Sequence, residues 1–324
     1  MSHPLLEKHR ATLEGALNAI HTRGYWSAYN EMPSPKAYGE TAADDGKKAF
    51  AAHLGQPFAL EQPGQSGWLA GEQSPYGIDL DVQYPVCDHE ALIAAGQAAM
   101  SSWQKAGADG RTGICLEILD RLNKQSFEIA HAVMMTTGQG WMMAFQAGGP
   151  HAQDRGLEAV TYAWREQSFV PSEASWEKPQ GKNPPLVMKK NYQIVGRGVG
   201  LVIGCGTFPT WNTYPGLFAA LATGNAVIVK PHANAILPAA ISVRTIRAVL
   251  AENGISPDLV TLAIADHATT QRLVTHPAVK SVDFTGGNVF GRWLLDHCRQ
   301  AQVYAELAGV NNIVIDSTDA YQRM

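Results

Sequence analysis

The sequence is short of charge, of cysteine and of any basic excess. Only 17% of its 324 residues are charged, and 25 basic side chains stand against 29 acidic ones, for a formal net charge of −4. That balance excludes a strongly basic nucleic-acid binder. So little charge beside 45% hydrophobic residues excludes a disordered chain. The length fits about two domains at ~150 residues each. Four cysteines, Cys87, Cys115, Cys205 and Cys298, lie too far apart for a CxxC pair or a disulfide framework, which fits a reducing compartment. The opening MSHPLLEKHRATLEG carries charges where an export signal needs an unbroken apolar stretch, so a cytoplasmic location is expected. Between Arg197 and Arg244 the only charged side chain is Lys230, but Gly204, Gly206, Pro209, Asn212, Pro215 and Gly224 cut this stretch into pieces that a lipid-facing helix does not tolerate. No membrane partner is expected. The histidines form neither an i, i+4 pair nor a Cys/His cluster, and no metal is expected.

What is present is a change of rhythm along the chain. Leu6, Leu13, Leu17 and Ile20 recur at helical spacing, with Ser2 and Pro4 placed for a helix start and Gly24 for its end, and predict one amphipathic helix. From Gly24 to about Val86, turn-like YGET, QPGQSG and QSPYG predict mostly irregular structure. Helical patterns follow over Leu92 to Trp103, through Ile114, Ile118, Leu122, Ile129 and Val133, and from Gln153 to about Arg165. The stretch SEASWEKPQGKNPP reads as a linker or an extended arm, with a domain boundary near 175–190.

Beyond it, short β-branched runs end at Gly, Asn or Pro: Val199 to Ile203, Ala226 to Val229, Leu259 to Ile264, Val279 to Phe284, Ala301 to Ala305 and Ile313 to Ile315. Helical patterns separate them at Gly216 to Thr223, Ala239 to Asn253, His267 to His276 and Val289 to Arg299. This alternation predicts an α/β fold, a parallel sheet wrapped by helices, with ligands at the carboxyl ends of its strands.

Four segments could carry chemistry. In AVIVKPHAN, Lys230 ends a buried strand that Pro231 stops; its ammonium either snorkels to water or awaits a ribose or phosphate. FTGGNVFG follows a strand and opens a helix, so Gly286 and Gly287 either make a simple turn or admit a pyrophosphate to free N–H groups. In TFPTWNTYPG, Asn212 between Trp211 and Tyr214 either satisfies its own turn or donates to an oxyanion. In YAELAGVNN, Glu306 closes an apolar strand, where it is either salt-bridged or a general base with raised proton affinity.

In this order the four segments resemble the aldehyde dehydrogenase superfamily. GCGTFPTWNTYPGLFAALATGNAVIVKPH looks most like its PaaN-type branch, associated with phenylacetate degradation, and TTGQG stands where a TGK-type turn is common. The match covers about residues 90–318. The resemblance implies a Rossmann-like cofactor domain over 186–324, a helical part with a linker over 89–185, and an N-terminal extension over 1–88 with one helix and then largely irregular structure. It implies that NAD- or NADP-dependent oxidation of an aldehyde from aromatic-acid breakdown is the parent chemistry, with a small-molecule aldehyde as substrate and a homo-oligomer as the parent state. The rival expectation is a non-catalytic dinucleotide-binding or partner-binding remnant of the same fold. By the same resemblance Asn212 corresponds to the oxyanion-stabilising amide and Glu306 to the general base. Lys230 would bind the adenosine ribose or its 2′-phosphate. Trp211 with Thr285, Gly286 and Gly287 would contact the pyrophosphate, and Leu307 would lie near the nicotinamide.

Departures from the family pattern carry expectations of their own. Ala233 stands three residues after Lys230, where a ribose-binding carboxylate is frequent, so a 2′-phosphate would be repelled less, and His232 beside it could add a donor; NADP is expected at least as readily as NAD. Gly287 replaces a frequent Ser, and ELAGV replaces ELGGK, with Ala308 and Val310 stiffening the backbone. The family's nucleophilic Cys lies downstream of the Glu in a separate catalytic domain, whereas this chain ends 18 residues after Glu306. The expectation is therefore the N-terminal part and cofactor domain of a longer enzyme, without the catalytic domain.

Overall fold

The computed structural model describes residues 3–309 together with Asn312 and Val314. At the amino end the expected single helix is two, α1 (Pro4–Lys8) and α2 (Arg10–Thr22). The break falls at His9, whose ring turns inward to Glu117, with Nε2 2.7 Å from Oε2, while Lys8 binds the same oxygen at 2.5 Å. Helix α2 ends at Arg23, in the left-handed region at φ 57°, one residue before the expected Gly24. Ser2 lies outside the described residues.

The stretch expected to be irregular holds α3 (Pro35–Tyr38), α4 (Ala42–Ala51) and an antiparallel pair, β1 (Gln65–Leu69) with β2 (Tyr84–Cys87). Long-range packing makes α4 a helix: it buries Phe50 and lays Gly46 against the next helical layer, where a Cβ would come within 2.9 Å of the Glu128 amide nitrogen. That layer runs through α5 (His89–Lys105), α6 (Gly107–Lys124), α7 (Ser126–Thr137), α8 (Trp141–Gly148) and α9 (Pro150–Ser168). Asp88 caps α5, accepting from the Ala91 amide at 2.8 Å. Gly138, at φ 78°, ends α7 where a side chain would be strained.

The segment expected as a linker or arm is an antiparallel hairpin, β3 (Glu173–Gln180) with β4 (Asn183–Asn191). Gly181 at φ 66° makes its turn. Pro179, Pro184 and Pro185 are tolerated because both strands of a two-stranded ribbon are edges.

Beyond the hairpin the alternation becomes β5 (Val199–Ile203), α10 (Tyr214–Ala222), β6 (Ala226–Lys230), α11 (Leu237–Glu252), β7 (Val260–Leu262), α12 (His267–Thr275), β8 (Val279–Gly286), α13 (Asn288–His297) and β9 (Gln302–Leu307). Every residue of β5 is buried, as expected of a central strand covered on both faces. The five strands form one parallel sheet in the order β7-β6-β5-β8-β9. Right-handed crossovers put α10 and α11 on one face and α12 and α13 on the other. Gly216 of α10 accordingly lies against Asp283, while Gly291 of α13 lies against Leu307 on the opposite side. The order reverses between β5 and β8, so a crevice opens at their carboxyl ends. Ile313 and Ile315, ends of the last expected run, lie outside the described residues, as does Val310.

No helix among the described residues is long and apolar enough to cross a membrane.

Candidate functional site

The loops that leave the carboxyl ends of β5, β6, β8 and β9 gather most of the residues singled out in the sequence. Strand register puts Thr285 of β8 directly beside Glu306 of β9. Glu306 Oε2 accepts from Asn212 Nδ2 at 3.1 Å and from Thr285 Oγ1 at 3.4 Å. Asn212 is aimed by its other end, because its Oδ1 accepts the Cys205 thiol at 3.4 Å. The loop that carries Asn212 is anchored in turn: Thr210 donates to the Gly148 carbonyl at 2.7 Å, and Gln139 donates to the carbonyl of Thr207. An amide donor, a hydroxyl and a carboxylate thus converge on one point.

Glu306 differs from expectation in its surroundings. It is exposed, because β9 is the edge of the sheet and its 302, 304 and 306 positions face outward. The apolar setting expected of it belongs to Asp283, which the sequence reading passed over. The Asp283 carboxyl takes no hydrogen bond from any described residue and lines a cavity of about 430 Å³ with Arg155, Tyr162, Lys280 and Tyr304. Burial, reinforced by the negative charge of Glu306 and opposed by Arg155, pushes its carboxyl up to about 6. The only sequence signal was an acid inside an apolar run, on the same strand face as Thr285.

Arg155 of α9 also lies over Trp211, 5.4 Å from the ring centroid, with the His151 ring 5.9 Å away. Trp211 therefore packs toward α9. Leu307 is likewise not gathered with Glu306: strand alternation turns its side chain under α13, onto Gly291, and leaves only its backbone at the crevice.

At the other end of the crevice Lys230 terminates β6. Burial pushes its ammonium down, partly opposed by the charge of Asp266, and it makes no ion pair with a described residue. His232 packs over Gly206, where a Cβ would come 3.0 Å from Nδ1, and that nitrogen accepts from the Asn234 amide at 3.2 Å. Burial and the charge of Lys230 lower its pKa, so the ring is neutral near pH 7 and keeps Nε2–H as a donor. Glu72, from the amino-terminal stretch, holds the loop that follows: its carboxylate accepts from the amides of Ile236 and Leu237 and from Tyr84 Oη at 2.5 Å. Nothing local in the sequence marks that contact, which joins residues 164 positions apart.

The two clusters stand on β6 and β9, three strand spacings or ~14 Å apart. Between them lies the start of α13. Gly287 is its N-cap with no heavy atom within 4 Å of where a Cβ would stand, and the amides that follow open the helix. An unpaired cation at one end, open helix amides in the middle and a carboxylate–amide pair at the other suit a long anionic ligand such as a dinucleotide.

Comparison with known proteins identifies the family. The profile described as "Aldehyde dehydrogenase family" matches residues 84–323. A geranial dehydrogenase of Castellaniella defragrans is 28% identical over 243 residues, spanning 72% of this chain and 48% of that protein. A 1-pyrroline-5-carboxylate dehydrogenase of Bacillus subtilis is 24% identical over 236 residues, spanning 70% and 43%. The crystal structure of an NAD-dependent aldehyde dehydrogenase from Burkholderia multivorans superposes with a TM-score of 0.93 at 58% identity, covering 96% of this chain and 56% of that one. The chain spans about half the length of the curated relatives it matches.

Proposed function

Since the chain belongs to the aldehyde dehydrogenase family, we propose that it binds NAD or NADP along the carboxyl edge of its parallel sheet and contributes Glu306 and Asn212 to the oxidation of an aldehyde to an acid. The observation that carries the proposal is the pairing of Asn212 with Glu306 across the strand-order reversal, with Lys230, which makes no ion pair with a described residue, at the other end of the crevice. In this reading Lys230 and the His232 Nε2–H hold the adenosine end of the dinucleotide. The Thr285, Gly286 and Gly287 turn with the first amides of α13 takes the pyrophosphate, and Trp211 walls the site on the α9 side. When bound, the dinucleotide supplies the electron-pair acceptor of the reaction.

The remaining roles fall to side chains already described. Asn212 Nδ2 donates toward a developing oxyanion, and the Cys205 thiol keeps that amide from rotating. Glu306 is open to solvent and accepts the proton of an attacking water. The backbone of Leu307 borders the nicotinamide end. None of the four thiols is proposed as a nucleophile: all are buried, and burial pushes Cys115 up to about 12.

The proposed substrate class is an aldehyde from aromatic-acid breakdown, including phenylacetate degradation, on the strength of the GCGTFPTWNTYPG wording. The free cysteines support a cytoplasmic setting. The exposed hairpin β3–β4, with Trp176, Leu186 and Met188 outward, supports a homo-oligomer.

Calorimetric titration with NAD and NADP tests the central part. Saturable one-site binding is expected, weakened by about 10- to 100-fold in Lys230→Ala, as follows when charge-assisted hydrogen bonds are lost. Absence of binding by either dinucleotide, or an unchanged affinity in the variant, contradicts the assignment.

A further inference from the structure

Resting on the dinucleotide reading above, we infer that Asp266, in the loop that leaves the strand beside that of Lys230, accepts the adenosine ribose hydroxyls and makes the site select NAD over NADP.

The placement follows from the sheet. Strands β6 and β7 run parallel with Val229 opposite Leu262, and the Ala263 amide donates to the Val229 carbonyl at 2.8 Å. Lys230 is the next residue on β6, and Asp266 lies three positions past Ala263 on the neighbouring strand's exit, so both reach the same carboxyl edge. A carboxylate beside the end of the second strand is what an unphosphorylated ribose requires, because it accepts hydrogen bonds from the diol and repels a 2′-phosphate. The loop after Lys230 does not supply one: the position three residues on is Ala233, and His232 beside it is neutral. Glu72, the acid that reaches this loop from elsewhere, is already committed to the amides of Ile236 and Leu237 and to Tyr84.

Asp266 is exposed and held in place. Its Oδ1 caps α12 by accepting from the Thr269 amide at 2.8 Å, and the Thr269 side chain also hydrogen-bonds to the carboxylate, which fixes it at the start of the helix. Its hydrogen bonds to Thr269 lower its pKa, so it is ionised at any pH at which a dinucleotide would be bound. Its charge acts on Lys230, yet the two form no ion pair within 4.0 Å. Opposite charges fixed at one sheet edge but kept out of contact leave room for a neutral diol, which can donate to the carboxylate and accept from the ammonium. A phosphate in that place would meet one favourable and one unfavourable charge. The cation beyond Asp266, Arg272, donates to Thr269 Oγ1 at 3.0 Å on the same helix.

The test compares NAD and NADP binding by calorimetry in the chain and in Asp266→Asn, a substitution that keeps a good helix cap and so keeps the fold. Wild type is expected to bind NAD about tenfold or more tighter than NADP, and Asp266→Asn to bring the two within about threefold by weakening NAD and strengthening NADP. An unchanged ratio in the variant, or a wild-type preference for NADP, overturns the role of Asp266 while the dinucleotide site stands. Failure of either dinucleotide to bind the wild-type chain overturns both.

Discussion

Arg111→Ala lowers the unfolding free energy by about 3 kcal/mol or more, while Arg111→Met costs about half as much. Arg111 of α6 is 1% exposed, and no carboxylate forms an ion pair with it among the described residues. Its Nε donates to the Ala222 carbonyl at 3.2 Å and its Nη2 to Gln167 Oε1 at 2.6 Å. The Ala222 carbonyl lies at the end of α10, where the helix dipole is negative, so backbone and a neutral amide replace the missing carboxylate. Burial works against the charge and lowers the pKa of the guanidinium, and the two bonds partly satisfy it. Both substitutions strand the Gln167 oxygen, but alanine also leaves a cavity, whereas methionine fills the space. Because Arg111 joins the helical layer to the first helix of the sheet, both losses should appear as one cooperative shift of the urea midpoint. Two variants within 1 kcal/mol of wild type would show that the guanidinium contributes nothing net.

Asp283→Asn stabilises the chain at pH 7.5 by about 2–3 kcal/mol, and the gain disappears by about pH 4. The sign follows from the direction of the shift. The folded-state carboxyl is raised from 3.8 to about 6, so the folded chain holds its proton more tightly than the unfolded one. Below about pH 4 both states are protonated and asparagine offers no advantage. Between about pH 4 and pH 6 the unfolded state ionises first and folding weakens, and above pH 6 the whole penalty of the buried charge is present. The same substitution removes a negative charge beside Glu306, whose repulsion is one cause of the shift. Denaturation curves at pH 4.0 and 7.5 decide the matter. An equal effect at both values would mean that packing of the amide, and not charge, governs the variant.

The sheet was legible because strands covered on both faces have no polar side to hide. The run Val199 to Ile203 is β5 without adjustment, and Pro231 marks the end of β6 at Lys230. Asn212 and Glu306 were each singled out separately, and it is the fold that pairs them: one lies beyond the carboxyl end of β5 and the other near that of β9, and the crevice brings those ends together. What escaped depends on partners far away in sequence. Helix α4 is set by Gly46 meeting α7, and the break at His9 by Glu117. The hairpin β3–β4 looked like a linker because its prolines argue against strands unless both strands are edges. Glu306 was expected in apolar surroundings, but whether a strand-end acid is exposed depends on its strand being outermost, which no local pattern states. Asp283 and Asp266 were overlooked for the converse reason: each is an ordinary acid locally, and only the packing of α10 onto β8 buries the first, while the pairing of β9 beside β8, or of β7 beside β6, gives each a charged neighbour.

Hydrogen exchange of the chain with and without saturating NAD tests the central claim most directly, because it locates the ligand and does not depend on turnover. The account predicts slowed exchange confined to the crevice, in residues 205–213, 230–236, 264–269, 285–291 and 306–307, with the hairpin over 173–191 unchanged. Protection centred instead on the cavity between α9 and β9, or no change anywhere, would contradict it.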